Sequence, residues 1–206
     1  MNKLIRRAAI VGGLTLLFAV SASMAQQPAG GRLRGTIETV EGSVLTLRAR
    51  DGQAVFKIKV ADNAQVVSVV KSSLADIKEG TFIGSGAIPQ PDGTQKALEV
   101  HIFADAQRGT GEGHRPWDAA SNGTMTNGTV GAAVTDVDGQ TISVKYSTGE
   151  KKIIVPPGVP IVRYEIGSLD DLKPGARVTV TSASKQPDGT YAAARFNVGR
   201  DGVVPF

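Results

Sequence analysis

Residues 35–54 read GTIETVEGSVLTLRARDGQA, and residues 132–151 read AAVTDVDGQTISVKYSTGEK. In both stretches apolar and polar residues alternate, an acid–glycine pair stands near the middle, and a second glycine follows ten residues later. Alternation with a period of two is typical of half-buried β-strands, and glycines between strands are typical of tight hairpin turns. The sequence therefore predicts the same pair of hairpins twice.

Two further landmarks repeat in the same order. SSLADIKEG at 72–80 matches GSLDDLKPG at 167–175, and the later stretch QPDGT recurs letter for letter 96 residues further on. Matching landmarks at a nearly constant offset indicate an internal duplication. We define copy 1 as residues 32–106 and copy 2 as residues 128–203.

Each copy predicts five short strands, with one helical turn before the fourth. The serine that opens SLADIK or SLDDLK suits a helix N-cap, and the acids that follow suit a first turn. This order predicts an all-β chain with two tandem small five-stranded OB-like barrels; β-sandwich repeats are the alternative. We expect Gly42 to superpose on Gly139 and Gly80 on Gly175, with a positive φ angle at Gly42 and Gly139.

The repeated motifs also carry a family resemblance. The succession G-x-[IV], [DE]-G, S-L-x-D-[IL]-K-x-G and P-D-G-T resembles an uncharacterised family of exported bacterial proteins with OB-like repeats. The resemblance covers nearly all of the chain after residue 25. It implies a fold and an exported location, and it implies no activity because OB-like barrels serve many ligands.

The first 25 residues predict a cleavable signal peptide. Lys3, Arg6 and Arg7 precede a charge-free apolar run, and Ser23 and Ala25 are the small residues expected before a cleavage site. We therefore expect a periplasmic protein, exported by the general secretory route, with no transmembrane segment after cleavage. The signal holds three of the 23 basic residues and none of the 19 acidic ones, so the rest has a net charge of +1. This balance argues against sequence-independent nucleic-acid binding.

Cysteine is absent from the sequence, which excludes disulfides, thiol catalysis and cysteine metal sites. No cofactor motif is present, and the two histidines are too few to favour a serine hydrolase, which is the weakest of the alternatives. The short segments 26–31 and 204–206 are expected to be tails. Residues 107–127 form an inter-domain segment that contains the only tryptophan.

This inter-domain segment includes the most unusual stretch of the chain, Gly-His-Arg-Pro-Trp-Asp. The residues His114, Arg115, Trp117 and Asp118 form a candidate site for a ligand or partner, because Trp and Arg are frequent anchors in interfaces. The alternative is that Trp117 is a buried clamp that fixes the two barrels, and this interpretation is the one we expect.

Two other sets of residues are candidates for binding. His101 and His114 are weak metal candidates, because Glu99 and His101 share a strand face but a closed site needs about four ligands. We predict a solvated His101 and no metal site. A basic face is predicted on the first three strands of copy 1, formed by Arg48, Arg50, Lys57 and Lys59.

The sequence thus predicts a non-enzymatic binding or scaffold protein of the bacterial envelope. Its partner would be another envelope protein or envelope component, and no cofactor is expected. A metal- or small-ligand-binding accessory protein of the periplasm is the alternative.

Overall fold

A computed structural model describes residues 31–136 and 139–206, and this part of the chain is all-β. Its only helical elements are single 3-10 turns, and none of its helices is long and apolar enough to cross a membrane. The twelve strands are β1 (Gly31–Glu41), β2 (Val44–Ala49), β3 (Val55–Lys71), β4 (Phe82–Pro89), β5 (Gln95–Ile102), β6 (Gly113–Pro116), β7 (Thr124–Asp136), β8 (Gly139–Tyr146), β9 (Gly149–Val155), β10 (Ile161–Ile166), β11 (Arg177–Lys185) and β12 (Tyr191–Gly199).

The predicted helical turn is confirmed in both copies as a 3-10 turn, at Leu74–Asp76 and at Leu169–Asp171. In copy 1 the Ser73 backbone N–H donates to the Asp76 carboxylate at 3.1 Å, and Ser168 and Asp171 repeat this arrangement at 3.0 Å. Such reciprocal bonds satisfy the free backbone groups at a helix start. The glycines that follow, Gly80 and Gly175, share a φ of 83°.

Five strands close into a barrel, which we call barrel 1. The order of its strands is β1-β2-β3-β12-β11, and β11 pairs with β1 to complete the ring. All of these ladders are antiparallel except β3–β12, which is parallel. The interior is apolar, with Leu47, Ile58 and Phe196 fully buried. Burial of such side chains is the main favourable term in folding.

A second circuit of ladders, which we call ring 2, has the order β7-β8-β9-β5-β4 and returns to β7. It repeats barrel 1 strand for strand, including one parallel ladder at the equivalent place, between β5 and β9. A separate apolar core fills it, with Ile83, Ile142 and Ile153 fully buried.

The structure does not confirm one barrel per copy. Barrel 1 takes its first three strands from copy 1 and its last two from copy 2, and ring 2 does the reverse. The cause lies in β3, which runs on for 17 residues instead of turning back. Its second half pairs antiparallel with β10, centred on Val69 and Tyr164. This pair carries the last two strands of each copy over to the other.

The first hairpin also differs between the copies. In copy 1, Glu41 pairs with Val44 and Gly42 stands in the turn with a φ of 59°, as predicted. In copy 2, Asp136 pairs with Gly139, so Gly139 is the first residue of β8 and stands beyond the turn. The predicted superposition of Gly42 on Gly139 is therefore wrong: the copy 2 hairpin is longer, so Gly139 pairs within the ladder whereas Gly42 stands in the turn.

Candidate functional site

The inter-domain segment is not a free linker, because it adds a strand to the sheet. β6 pairs antiparallel with β7, with Gly113 opposite Asn127 and Arg115 opposite Met125. Successive side chains of a strand point to opposite faces. His114 therefore lies on the opposite face of the sheet from Arg115, so the predicted site residues do not converge on one ligand.

Trp117 is buried, as the clamp interpretation predicts, with 8% of its surface exposed. Its ring lies flat over Gly86 of β4, where the Cβ of any other residue would come within 2.6 Å of the ring. The Trp117 backbone N–H donates to the Gly123 carbonyl at 2.8 Å. The Trp117 indole therefore packs against β4, a strand of ring 2.

Asp118 joins the same segment to barrel 1. Its carboxylate accepts from Arg32 at 3.1 Å and from Arg34 at 3.2 Å, both on β1. Burial opposes ionisation, but the charges of Arg34 and Arg32 hold the pKa of Asp118 below its usual value. Consecutive residues, Trp117 and Asp118, thus contact the two circuits of strands. Arg115 donates to the Gly111 carbonyl at 2.6 Å and so braces the segment itself.

His101 is buried, and the prediction that it is solvated is wrong. It is 5% exposed, and the Glu99 carboxylate beside it, 3.4 Å from Nδ1, is 1% exposed. The Tyr164 ring stacks on the imidazole at 4.8 Å, and Gly84 leaves the space that the imidazole occupies. Burial, and then the Glu99 charge, raise the pKa of the Tyr164 phenol. β10 thus covers His101, and the alternation of residues along β5 could not reveal this.

The two histidines cannot share a metal. His101 lies opposite Gly84, which lies opposite Asn127, whereas His114 lies opposite Thr126. Cross-strand partners share a face, so the two imidazoles lie on opposite faces of the sheet. Within the described ranges no group of three or more His, Cys, Asp or Glu residues could hold a metal ion.

The predicted basic face is partly neutralised. Arg48 donates to Glu38 at 2.5 Å, and Lys59 to Asp188 at 3.3 Å. Arg50 donates to the Pro205 carbonyl at 2.7 Å and so faces the C-terminal residues. Lys57 alone of the four is an exposed residue for which neither an ion pair nor a hydrogen bond is found in the described part of the chain.

A different cationic group is built around Arg50, and we call it the arginine surface. Its members are Arg32 and Arg34 of β1, Arg50 after β2, and Arg177 of β11. Burial, and then the charges of Arg34 and Arg177, hold the pKa of Arg50 below its usual value. Like charges held close together favour an anion from outside. The sequence missed this group because Arg177 comes from the other copy.

Beside this surface lies a shallow, open depression of about 410 Å³, which we call the slot, bounded by Arg32–Arg34, Ala49–Asp51 and Phe56. A larger groove of about 710 Å³ runs between barrel 1 and the inter-domain segment. Its walls include Arg32, Arg195, Phe103 and Tyr164. Both concavities therefore combine arginine with aromatic side chains, and both are partly lined by β1.

No protein-family model matches this chain, and neither a curated protein nor a solved structure matches it. The resemblance to an exported family with OB-like repeats accordingly stays a prediction.

His114 predicts a pH dependence of stability. Its Nδ1 lies 2.8 Å from the Thr126 hydroxyl, and burial, then the charge of Lys151, lower the pKa of the imidazole. In the pH range between the folded and unfolded pKa values, the unfolded chain binds more protons, so the stability is complete above the unfolded value and falls as the pH decreases. We expect His114→Gln to flatten the decline in melting temperature between pH 7.5 and pH 5. An unchanged decline would contradict this role of His114.

Proposed function

We propose that this protein is an exported, non-enzymatic binding protein of the bacterial envelope, with two OB-like barrels, that holds an anionic partner on its arginine surface. One observation carries the proposal: Arg34 of copy 1 and Arg177 of copy 2 lie close enough to Arg50 that their charges, after burial, hold its pKa below the usual value. Among the described residues, Asp118 is the one carboxylate that forms ion pairs with this group. An excess of fixed positive charge attracts and orients an anionic partner.

The position of the arginine surface supports the proposal. It lies where β1, the end of β2 and β11 meet, on the closed barrel 1, whose buried core holds the backbone of these strands in place. Side chains held on a rigid scaffold lose less conformational freedom on binding than side chains of a mobile loop. Arg34 is already fixed by Asp118, with 20% of its side chain exposed.

In-cell crosslinking tests the proposal. We expect a photoreactive residue in place of Gln53, an exposed turn residue near Arg50, to crosslink the protein to an envelope component. Arg32→Glu together with Arg177→Glu should reduce this product by about tenfold, because charge reversal replaces attraction by repulsion. Lys57→Glu, compared with Arg32→Glu alone, is the matched control, since each single variant reverses one charge and Lys57 is an exposed lysine of barrel 1. Equal yields in the two variants would contradict the proposal.

The groove of about 710 Å³ favours a second candidate, a small-ligand-binding accessory protein. Arg195 lies in this groove, and none of the ion pairs found in the described ranges involves it. Arginine beside aromatic rings suits a planar anionic ligand. Native mass spectrometry of the protein isolated from the envelope distinguishes the candidates, because a tightly held small molecule would add a discrete mass that Arg195→Gln removes.

A further inference from the structure

The edges at the start of β1 and at the start of β7 differ: the edge of β7 has a further strand beside it, and within the described residues the edge of β1 is open. Residues 124–127 of β7, which lead into copy 2, pair with β4 on one side and with β6 on the other, and β8 joins only from Thr129 onward. The inter-domain segment therefore supplies a strand to an edge that the hairpin partner leaves open. Addition of an extended segment to an open edge is a common way in which sheets bind peptides.

The equivalent edge in copy 1 is residues 31–34 of β1. The equivalence follows from the ladders: Gly35 is the first residue of β1 that pairs with β2, and Gly128 stands one residue before the first pair of β7 with β8. A Cβ at either glycine would meet a carbonyl oxygen of that next strand. β11 pairs with one side of this edge. On the other side no strand of the described ranges pairs with it, because β2 joins only from Gly35 onward.

Backbone directions show which groups this edge offers. Arg50 N–H donates to the Arg34 carbonyl at 2.9 Å, so that carbonyl points away from β11. The register shift opposite Arg32 adds a residue to β11 and none to β1, so residues two apart on β1 still point their backbone groups to the same side. The N–H and carbonyl of Arg32 thus face the position that β6 occupies beside β7. They are a donor and an acceptor available to a further strand.

The slot of about 410 Å³ lies beside this edge. In copy 2 the same place is taken by β6: His114 contacts Thr126 and lies near Lys151, and Glu112 accepts from the Ser147 N–H at 2.6 Å. The copy 1 equivalents of Thr126, Lys151 and Ser147 are Leu33, Phe56 and Arg50, respectively. The slot is thus more apolar at its centre and more cationic at its rim than the place that β6 fills.

We infer that the open edge of β1 binds an extended peptide segment of a partner, antiparallel to β1, with an apolar side chain between two acidic ones. The apolar side chain enters the slot against Leu33 and Phe56. The acidic side chains stand opposite Arg32 and Arg34, on the face where those arginines lie. This inference rests on the proposed function, and it adds the chemical class of the partner and the way in which the partner binds.

In the absence of a partner, Asp118 forms ion pairs with Arg32 and Arg34, the two arginines that the acidic side chains of the peptide would contact. Its carboxylate is about half exposed and contacts both Arg32 and Arg34. An incoming acidic side chain must share or replace these contacts. Removal of the Asp118 charge should therefore strengthen peptide binding, which a purely structural role of Asp118 does not predict.

The probe is a fluorescein-labelled peptide, GEEVEP, which copies residues 111–116 of this chain with Gly113→Glu, His114→Val and Arg115→Glu. We expect the intact protein to bind it in an anisotropy titration and to reject the lysine version GKKVKP. Arg32→Gln should weaken binding about tenfold, and Asp118→Asn should tighten it several-fold, because hydrogen bonds to charged groups are worth more than neutral ones. Lys57→Glu should leave the affinity unchanged.

Arg32→Pro separates strand pairing from charge. Proline removes the Arg32 N–H as well as the charge, and proline is tolerated at a sheet edge. We expect it to weaken binding about fivefold beyond Arg32→Gln, which is the net effect of one hydrogen bond. Peptide binding should also slow hydrogen exchange of the Arg32 amide in the unchanged protein, a readout that does not depend on the folding of the proline variant.

The outcomes separate the two proposals. Equal affinities of the Gln and Pro variants, or no slowing of exchange at Arg32, would overturn strand pairing and leave the anionic partner in place. Failure of the protein to bind GEEVEP would overturn the peptide inference, whereas the proposed function is decided by the in-cell crosslinking. Binding that ignores Arg32 and Asp118 would overturn the inference as well.

Discussion

A disulfide is expected to form within one molecule between cysteines placed at Lys59 and Ala192, and none between cysteines at Lys59 and Lys96. Lys59 of copy 1 and Ala192 of copy 2 are directly opposed in the parallel β3–β12 ladder. Opposed residues on neighbouring strands lie about 5 Å apart, within the range of Cα separations that a disulfide spans. The absence of natural cysteines makes the pair easy to interpret.

Lys96 is the matched control because it is the copy 1 equivalent of Ala192. If each copy closed its own barrel, Lys59 would lie opposite Lys96; in the structure Lys96 lies opposite Ile154 of copy 2. Mild oxidation followed by mass spectrometry of the linked peptides identifies which pair forms. A disulfide between the cysteines that replace Lys59 and Lys96 in the monomer would show that each copy closes its own barrel and would contradict the exchange of strands.

The second large effect is expected for Trp117→Ala. The ring is 8% exposed and lies over Gly86, and its removal leaves a cavity between the inter-domain segment and β4. We expect a loss of about 3 kcal/mol or more in the free energy of unfolding, as for other buried aromatic residues changed to alanine. Urea unfolding followed by circular dichroism measures the loss. Leu98→Ala is the control, since Leu98 is 42% exposed and should change stability little.

A second variant tests the contact itself. Gly86→Ala places a Cβ against the ring and should also destabilise the protein, whereas adding Gly86→Ala to Trp117→Ala should cost less than it does alone. Because Trp117 is the only tryptophan, the fluorescence of the unchanged protein reports directly on its surroundings. A red-shifted, readily quenched spectrum, together with an unchanged stability of Trp117→Ala, would contradict the clamp.

Local chemistry made much of the fold predictable. Period-two alternation predicted the strands, and the serine–acid pairs predicted the turns at Leu74–Asp76 and Leu169–Asp171, because both signals depend on residues close in sequence. The glycines at 80 and 175 follow from the same local requirement. Trp117 could be predicted as buried because a large aromatic side chain is costly to expose.

The candidate site could not be predicted in the same way. Arg177 joins Arg34 and Arg50 only because β11 of copy 2 lies against β1 of copy 1. Glu99 and His101 look solvent-facing on their own strand, yet both are buried, and Tyr164 of β10 stacks on His101. Each of these placements depends on residues that are distant in sequence and outside the reach of periodicity.

The sequence by itself determined the duplication, the strands that follow period-two alternation and the turns set by neighbouring residues, but not β6, β10 or the second half of β3. The tertiary structure alone decided which copy closes which ring of strands. The two circuits have the same strand order and one parallel ladder at the equivalent place, so strand order alone does not select the copy. Which copy completes which circuit depends on the direction of β3, which continues past Val60 to pair with β10 instead of turning back. That choice is a property of the whole assembled sheet, since a continued strand is stable only when a partner strand lies beside it.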